Sequence, residues 1–174
     1  MLKMFTTQLH GLFQRIADKE SFSIEDGARL LTQAIVGEGT IYIQAFNEMD
    51  AVAAEATSGA EKLTSSQTYT VNTPVTESDR VLLISRFAND PEALEAAASW
   101  READIPFVAI AGSLPKEENR LAELADVFID THLVKGLLPD DTGGRTGFPS
   151  SLAALYIYFA LKLTIDEILE DQEI

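Results

Sequence analysis

The stretch SDRVLLISRFANDPEALEAAASWREADIPFVAIAG, from Ser78 to Gly112, leaves this chain few folds to choose from. Val81–Ile84 is an unbroken apolar run between polar flanks, the pattern of a parallel strand covered on both faces. The chain then turns through Ser85–Asn89 and enters a helix. Asp90 stands at the N-cap, Pro91 at the first helical position, and Glu92 adds negative charge to the first turn. Leu94, Ala97 and Ala98 make a narrow apolar stripe. Asp104–Pro106 ends the helix, and Phe107–Ala111 reads as the next buried strand. A right-handed crossover between two such strands places Ser85–Asp90 at a carboxyl end of the sheet, where open α/β sheets bind ligands.

The rest of the chain extends this unit. Leu2, Phe5, Leu9, Leu12, Phe13 and Ile16 fall at helical spacing. Ser23, with Asp26 three residues on, predicts the start of a second helix through Ala28, Leu31 and Ile35, ended by Gly37–Gly39. Thr40–Phe46 predicts the first strand, Asn47–Ala56 an alanine-rich helix, and Thr68–Val71 an edge strand that Pro74 keeps short. Asn119–Leu124 predicts a short helix and Val127–Ile129 a fifth strand. Residues 131–148 read as one long irregular segment, of the kind that carries function in compact domains. Pro149-Ser-Ser opens a last helix, Leu152–Ile168, apolar nearly all round and therefore buried in the subunit or across an interface. The alternation gives a three-layer α/β/α sandwich with a five-stranded, mostly parallel, doubly wound sheet. A single domain over 1–174 is expected, with N-terminal helices in 1–36, the sheet core in 40–130 and the C-terminal helix in 149–170.

Composition narrows the partners. The 28 acidic and 13 basic residues leave a net charge of −15, which disfavours general binding to nucleic acid or anionic membrane. With no cysteine there is no disulfide, thiolate metal site or thiol nucleophile. No apolar run nears the roughly 18 residues of a membrane span, and no leader pattern opens the chain, so a cytoplasmic protein is expected. His10 and His132 stand far apart, and the acids lack ligand spacing; neither a metal nor a cofactor is expected.

The passage Ser85-Arg-Phe-Ala-Asn-Asp-Pro-Glu92 resembles the Ser-x-Ser-Gly-x-Thr-x-Glu loop of the sugar isomerase (SIS) domain family. The first Ser and the Glu match, and Asp90 stands where the family has Thr. Leu121–Thr131 is similar to the family's Leu-Ala-Asp, strand, Asp-Thr passage, and the order of elements agrees over nearly the whole chain, phosphoheptose isomerases being the most similar branch. The family's first loop, Gly-x-Gly-x-Ser, falls on Ala45–Met49, where none of its residues is kept. The resemblance implies a sugar-phosphate or related small-anion ligand and a homodimer or higher homo-oligomer.

Physical chemistry selects the residues for such a ligand. Amides at a helix start favour an anion, which singles out Ser85, Arg86, Asn89 and Asp90. The segment Gly143-Gly-Arg-Thr-Gly147 and the following helix start offer close backbone approach, the donor fork of Arg145, and the hydroxyls of Thr146 and Ser150. Two internal carboxylates oppose this. Asp90, as a cap, competes for the very amides that would hold a phosphate, and two unit charges at about 4 Å repel by roughly 4 kcal/mol at an effective dielectric near 20. Glu48 adds repulsion if it faces inward. Aldose–ketose isomerisation further needs a proton-transfer group; His132, after the fifth strand, and Glu55, on the helix after the first, are the candidates. Two functions follow: an isomerase-like sugar-phosphate protein, or a non-catalytic binding or regulatory protein on the same scaffold.

Overall fold

A computed structural model describes residues 1–172. Five strands form one wholly parallel sheet in the order β2-β1-β3-β4-β5: β1 (Ile41–Ala45), β2 (Ser66–Thr68), β3 (Arg80–Phe87), β4 (Phe107–Gly112) and β5 (Val127–Asp130). Because successive side chains of a strand point to opposite faces, β3 divides its apolar run between two cores. Leu82 and Ile84 join Ile43, Val108, Ile110 and Ile129 beneath α1 (Leu2–Val36), α2 (Asp50–Ser58) and α5 (Ser150–Asp171). Val81 and Leu83 join Phe107 and Ala109 beneath α3 (Pro91–Glu102) and α4 (Arg120–Leu124). The result is a three-layer α/β/α sandwich, with the apolar runs of β3 and β4 fully buried at its centre.

Four local expectations are corrected. The N-terminal helix does not break near Ser23; α1 runs unbroken from Leu2 to Val36. Ile16, Glu20, Ile24, Gly27 and Leu31 keep one continuous buried face through the expected start, and burial of that face outweighs a local capping signal. At Gly27 an added Cβ would lie 3.2 Å from Leu161 and 3.4 Å from Ile129 and Val108, so a bare backbone lets α1 settle into the groove between the sheet and α5. The edge strand is Ser66–Thr68 rather than Thr68–Val71. Within 131–148 lies an antiparallel hairpin, β6 (Leu138–Pro139) with β7 (Arg145–Thr146). Finally, α3 buries Ala93, Ala97 and Trp100, a face turned slightly from the Leu94 stripe, with the Trp100 indole donating to Gln44 across the layer at 2.6 Å.

Between Ile84 and Phe87 the β3–β4 register slips: Ile84 pairs with Ile110, but Phe87 pairs with Gly112. Ser85 and Arg86 therefore stand opposite Ala111 alone, a bulge that re-aims side chains at the carboxyl end of the central strand. Ser85 is wholly buried, whereas Arg86 emerges into solvent.

Candidate functional site

Three chain segments converge at that end of the sheet. After β1, Phe46 leads into a 3-10 turn, Asn47–Met49. After β3 comes the bulge and the start of α3. From the far side of the hairpin, Phe148 and Pro149 deliver the first turn of α5. Between them lies an open cleft of about 540 Å³ lined by Glu48, Arg86, Phe87, Phe148, Ser150 and Ser151. The Phe87 and Phe148 rings meet edge to face, centroids 5.7 Å apart at 69°, and form its apolar wall.

Two polar side chains of the cleft, Arg86 and Ser150, are engaged by a third, the Glu48 carboxylate. Glu48 faces inward. Its Oε1 accepts from Arg86 Nε and from the Ser150 hydroxyl, each at 2.7 Å, and its Oε2 accepts from Arg86 Nη2 at 2.7 Å. The fork holds the Glu48 carboxyl well below the ordinary carboxylate range, at about 2, with the Ser150 hydrogen bond adding to the effect against partial desolvation. The same contact raises the Arg86 guanidinium.

Asp90 occupies the N-cap position of α3, but its side chain makes no cap hydrogen bond. It turns back into the bulge, where Oδ2 accepts from the Ser85 hydroxyl at 2.6 Å and from the Phe87 N–H at 3.0 Å. A hydroxyl and a bulge amide outcompete the helix amides because they converge on one oxygen within the same tight turn. The expected competition with a phosphate is thus redirected: Asp90 takes the Ser85 hydroxyl and the loop amide, not the helix start.

The other predicted residues scatter. Asn89 leaves the cleft and donates to the Glu117 carboxylate in the loop after β4. Arg145 turns away, donating through Nε to the Gly136 carbonyl at 2.5 Å and through Nη2 to the Leu137 carbonyl at 2.8 Å. Thr146 is exposed beside it on β7. His132, at a left-handed φ of 53°, lies past β5 with Nε2 against Glu20 Oε1 at 2.7 Å. Glu55 lies on α2, which packs on β1 and β2 at the other edge of the sheet, and its carboxylate accepts the Glu61 N–H at 3.1 Å. The two proton-transfer candidates do not share a site. Among the described residues, no cluster of His, Asp and Glu is placed to hold a metal ion, and no helix is long and apolar enough to cross a membrane.

The sequence marks Glu48 only as a source of repulsion, and marks neither Phe148 nor Ser151 as a ligand contact. Glu48 directly follows Asn47 at the carboxyl end of β1. That position is the available signal; the partner that aims it inward lies far along the chain.

A protein-family model described as "Domain of unknown function (DUF2529)" matches residues 1–169. The chain is 44% identical over 172 residues to the uncharacterized protein YwjG of Bacillus subtilis (strain 168), covering 98% of this chain and 99% of that one. Among solved structures, E. coli CFT073 c3406 in complex with a sugar phosphate superposes with a TM-score of 0.74 at 16% identity, covering 97% of this chain and 89% of that one. Phosphoheptose isomerase GmhA from Neisseria gonorrhoeae superposes at 0.67 and 16% identity, covering 94% and 95%. Identity at this level speaks to the fold alone, and that fold is the SIS fold.

Proposed function

The chain belongs to the DUF2529 family and has the SIS fold; from that premise we propose that it is a sugar-derivative-binding protein that does not isomerise its ligand. The ligand enters the cleft between Arg86–Phe87 and Phe148–Ser151. Sugar hydroxyls exchange hydrogen bonds with Glu48, Arg86 and Ser151, and the apolar face of the ring lies on Phe87 and Phe148. The observation that carries this reading is the pair of internal carboxylates. The Ser85 hydroxyl and the Phe87 amide already serve Asp90, and the Arg86 guanidinium and the Ser150 hydroxyl already serve Glu48. A dianion would displace both or be repelled by them, whereas a neutral or amino-bearing sugar finds acceptors in place. The wide separation of His132 and Glu55 supports a non-catalytic role.

One observation favours a second reading, in which phosphosugar binding is retained. Arg86 and Glu48 keep 44% and 30% of their side-chain surface in solvent, so the fork can open and hand Arg86 to a phosphate. The similar protein c3406 is itself in complex with a sugar phosphate.

Thermal melts of the full chain against neutral sugars, amino sugars and sugar phosphates separate the two. Stabilisation by a neutral or amino sugar, lost in Phe148→Ala, is the expected result. Stabilisation by phosphosugars alone selects the second reading, and flat melts across the panel overturn both. Turnover of an aldose phosphate to its ketose would end the non-catalytic assignment.

We also propose a homodimer through the outer seam of α5. Leu152 and Leu163 lie on one line along the helix and are 42% and 57% exposed. Tyr156 between them is stacked on Phe13 of α1, ring centroids 4.7 Å apart.

A further inference from the structure

A second, smaller cavity of about 140 Å³ lies between α1, the segment after β5 and the hairpin; Gln8, Arg15, His132, Lys135, Gly136 and Arg145 are among its lining residues. Its charge is unlike that of the rest of the molecule. In a chain with 28 acidic and 13 basic residues, Arg15, Lys135 and Arg145 line one cavity that no carboxylate lines. Among the described residues none of the three forms an ion pair. Glu20 and Asp130 are engaged with His132 and with backbone N–H groups at the end of β5, and neither lines the cavity.

The cavity is built rather than incidental. The Arg145 fork is fixed by the Gly136 and Leu137 carbonyls, which leaves its charge unneutralised but its position set. At Gly136 an added Cβ would lie 2.5 Å from the Thr146 carbonyl oxygen, so the wall holding the guanidinium requires glycine there. Three like charges around one small cavity repel one another unless an anion sits among them. With the Nε–Nη2 edge of Arg145 committed to carbonyls, the fork that suits the oxygens of a phosphoryl group is that of Arg15, and Arg145 contributes its charge. The volume falls below the roughly 300 Å³ of pockets that enclose a whole ligand, so a head group fits while the remainder stays in solvent.

We propose that this cavity is a second ligand site, separate from the cleft at Arg86, for the phosphoryl or similar oxyanionic head group of a small molecule. Inorganic phosphate is the probe. Melting temperature and 31P line width of the full chain are followed at constant ionic strength, with chloride as the balancing anion. Saturable binding is expected in the unaltered protein and in Arg86→Ala. Arg15→Ala and Lys135→Ala, both at exposed side chains that hold no other element in place, are each expected to weaken it at least about tenfold. Arg145 is left unchanged because it fastens the hairpin. Three outcomes overturn the proposal: no saturable binding, binding lost in Arg86→Ala but kept in the other two, or charge reversal at Arg15 and Lys135 that dissociates an oligomer without altering phosphate binding.

Discussion

Arg86, in the bulge of β3, and Glu48, in the turn after β1, meet as a two-point fork, Nε to Oε1 and Nη2 to Oε2, both at 2.7 Å. The bulge that turns Arg86 outward and the turn after β1 that turns Glu48 inward are thereby tied across the mouth of the cleft, and Ser150 attaches the start of α5 to the same carboxylate.

That contact sets an acid-sensitive contribution to stability. The Glu48 carboxyl is lowered from 4.5 to about 2 in the folded chain. A depressed carboxyl stabilises above its unfolded value, and the contribution is lost as pH falls from about 4.5 to about 2. Urea unfolding of the unaltered protein and of Glu48→Gln should differ by about 1 kcal/mol at neutral pH, after allowance for screening of a half-exposed pair. The difference should shrink through that window; one that stays constant down to pH 2 would show that the fork contributes no charge-dependent stability.

Asp90→Thr removes the carboxylate from Ser85 and the Phe87 amide. Loss of those charge-assisted bonds should lower stability by about 1–3 kcal/mol. Phosphate affinity at the cleft should rise at least about tenfold, toward the limit set by the roughly 4 kcal/mol repulsion removed. Calorimetric titration in a Lys135→Ala background keeps the smaller cavity out of the signal. Unchanged affinity would place the obstacle at Glu48 instead.

Tyr158 is wholly buried on α5, and its hydroxyl donates to the Glu61 carbonyl at 2.5 Å. Burial, with Glu55 nearby, pushes the phenol up to about 12. A raised acid stabilises below its unfolded value, so this contribution is present below about pH 10 and is lost as pH climbs toward 12. Ultraviolet titration should show one of the four tyrosines ionising late, and Tyr158→Phe should abolish that late step at a cost of about 1–2 kcal/mol.

Sedimentation of the unaltered protein should give a dimer, and Leu152→Asp with Leu163→Asp a folded monomer with unchanged circular dichroism. These side chains are already exposed in the single chain, so the double substitution removes no core contact. A dimer that survives both changes would move the interface elsewhere.

The centre of the fold is legible in the sequence because it is written locally. The apolar run of β3, the Asp90-Pro91 start of α3 and the second run at β4 each lie within a few residues of their cause. The continuity of α1 is not, because the burial that overrides Ser23 and Asp26 comes from Leu161, Ile129 and Val108, far away in sequence. The hairpin is hidden because its strands are two residues each, too short to show alternation. At the site, sequence locates the loops but not the direction of their side chains. Arg145 reads as a ligand donor, yet the carbonyls of Gly136 and Leu137 decide where it points. Asp90 reads as a cap, yet the bulge supplies its side chain with nearer partners.

The extra residue in β3 makes the length of this passage a matter of parity. Ser85 and Arg86 share the span of Ala111, so deleting either one would restore an even ladder in which a single side chain stands opposite Ala111 and can face only one side of the sheet. Arg86 can be exchanged for another amino acid without that cost. The number of positions between Ile84 and Asp90 cannot change by one and still deliver a hydroxyl inward and a guanidinium outward.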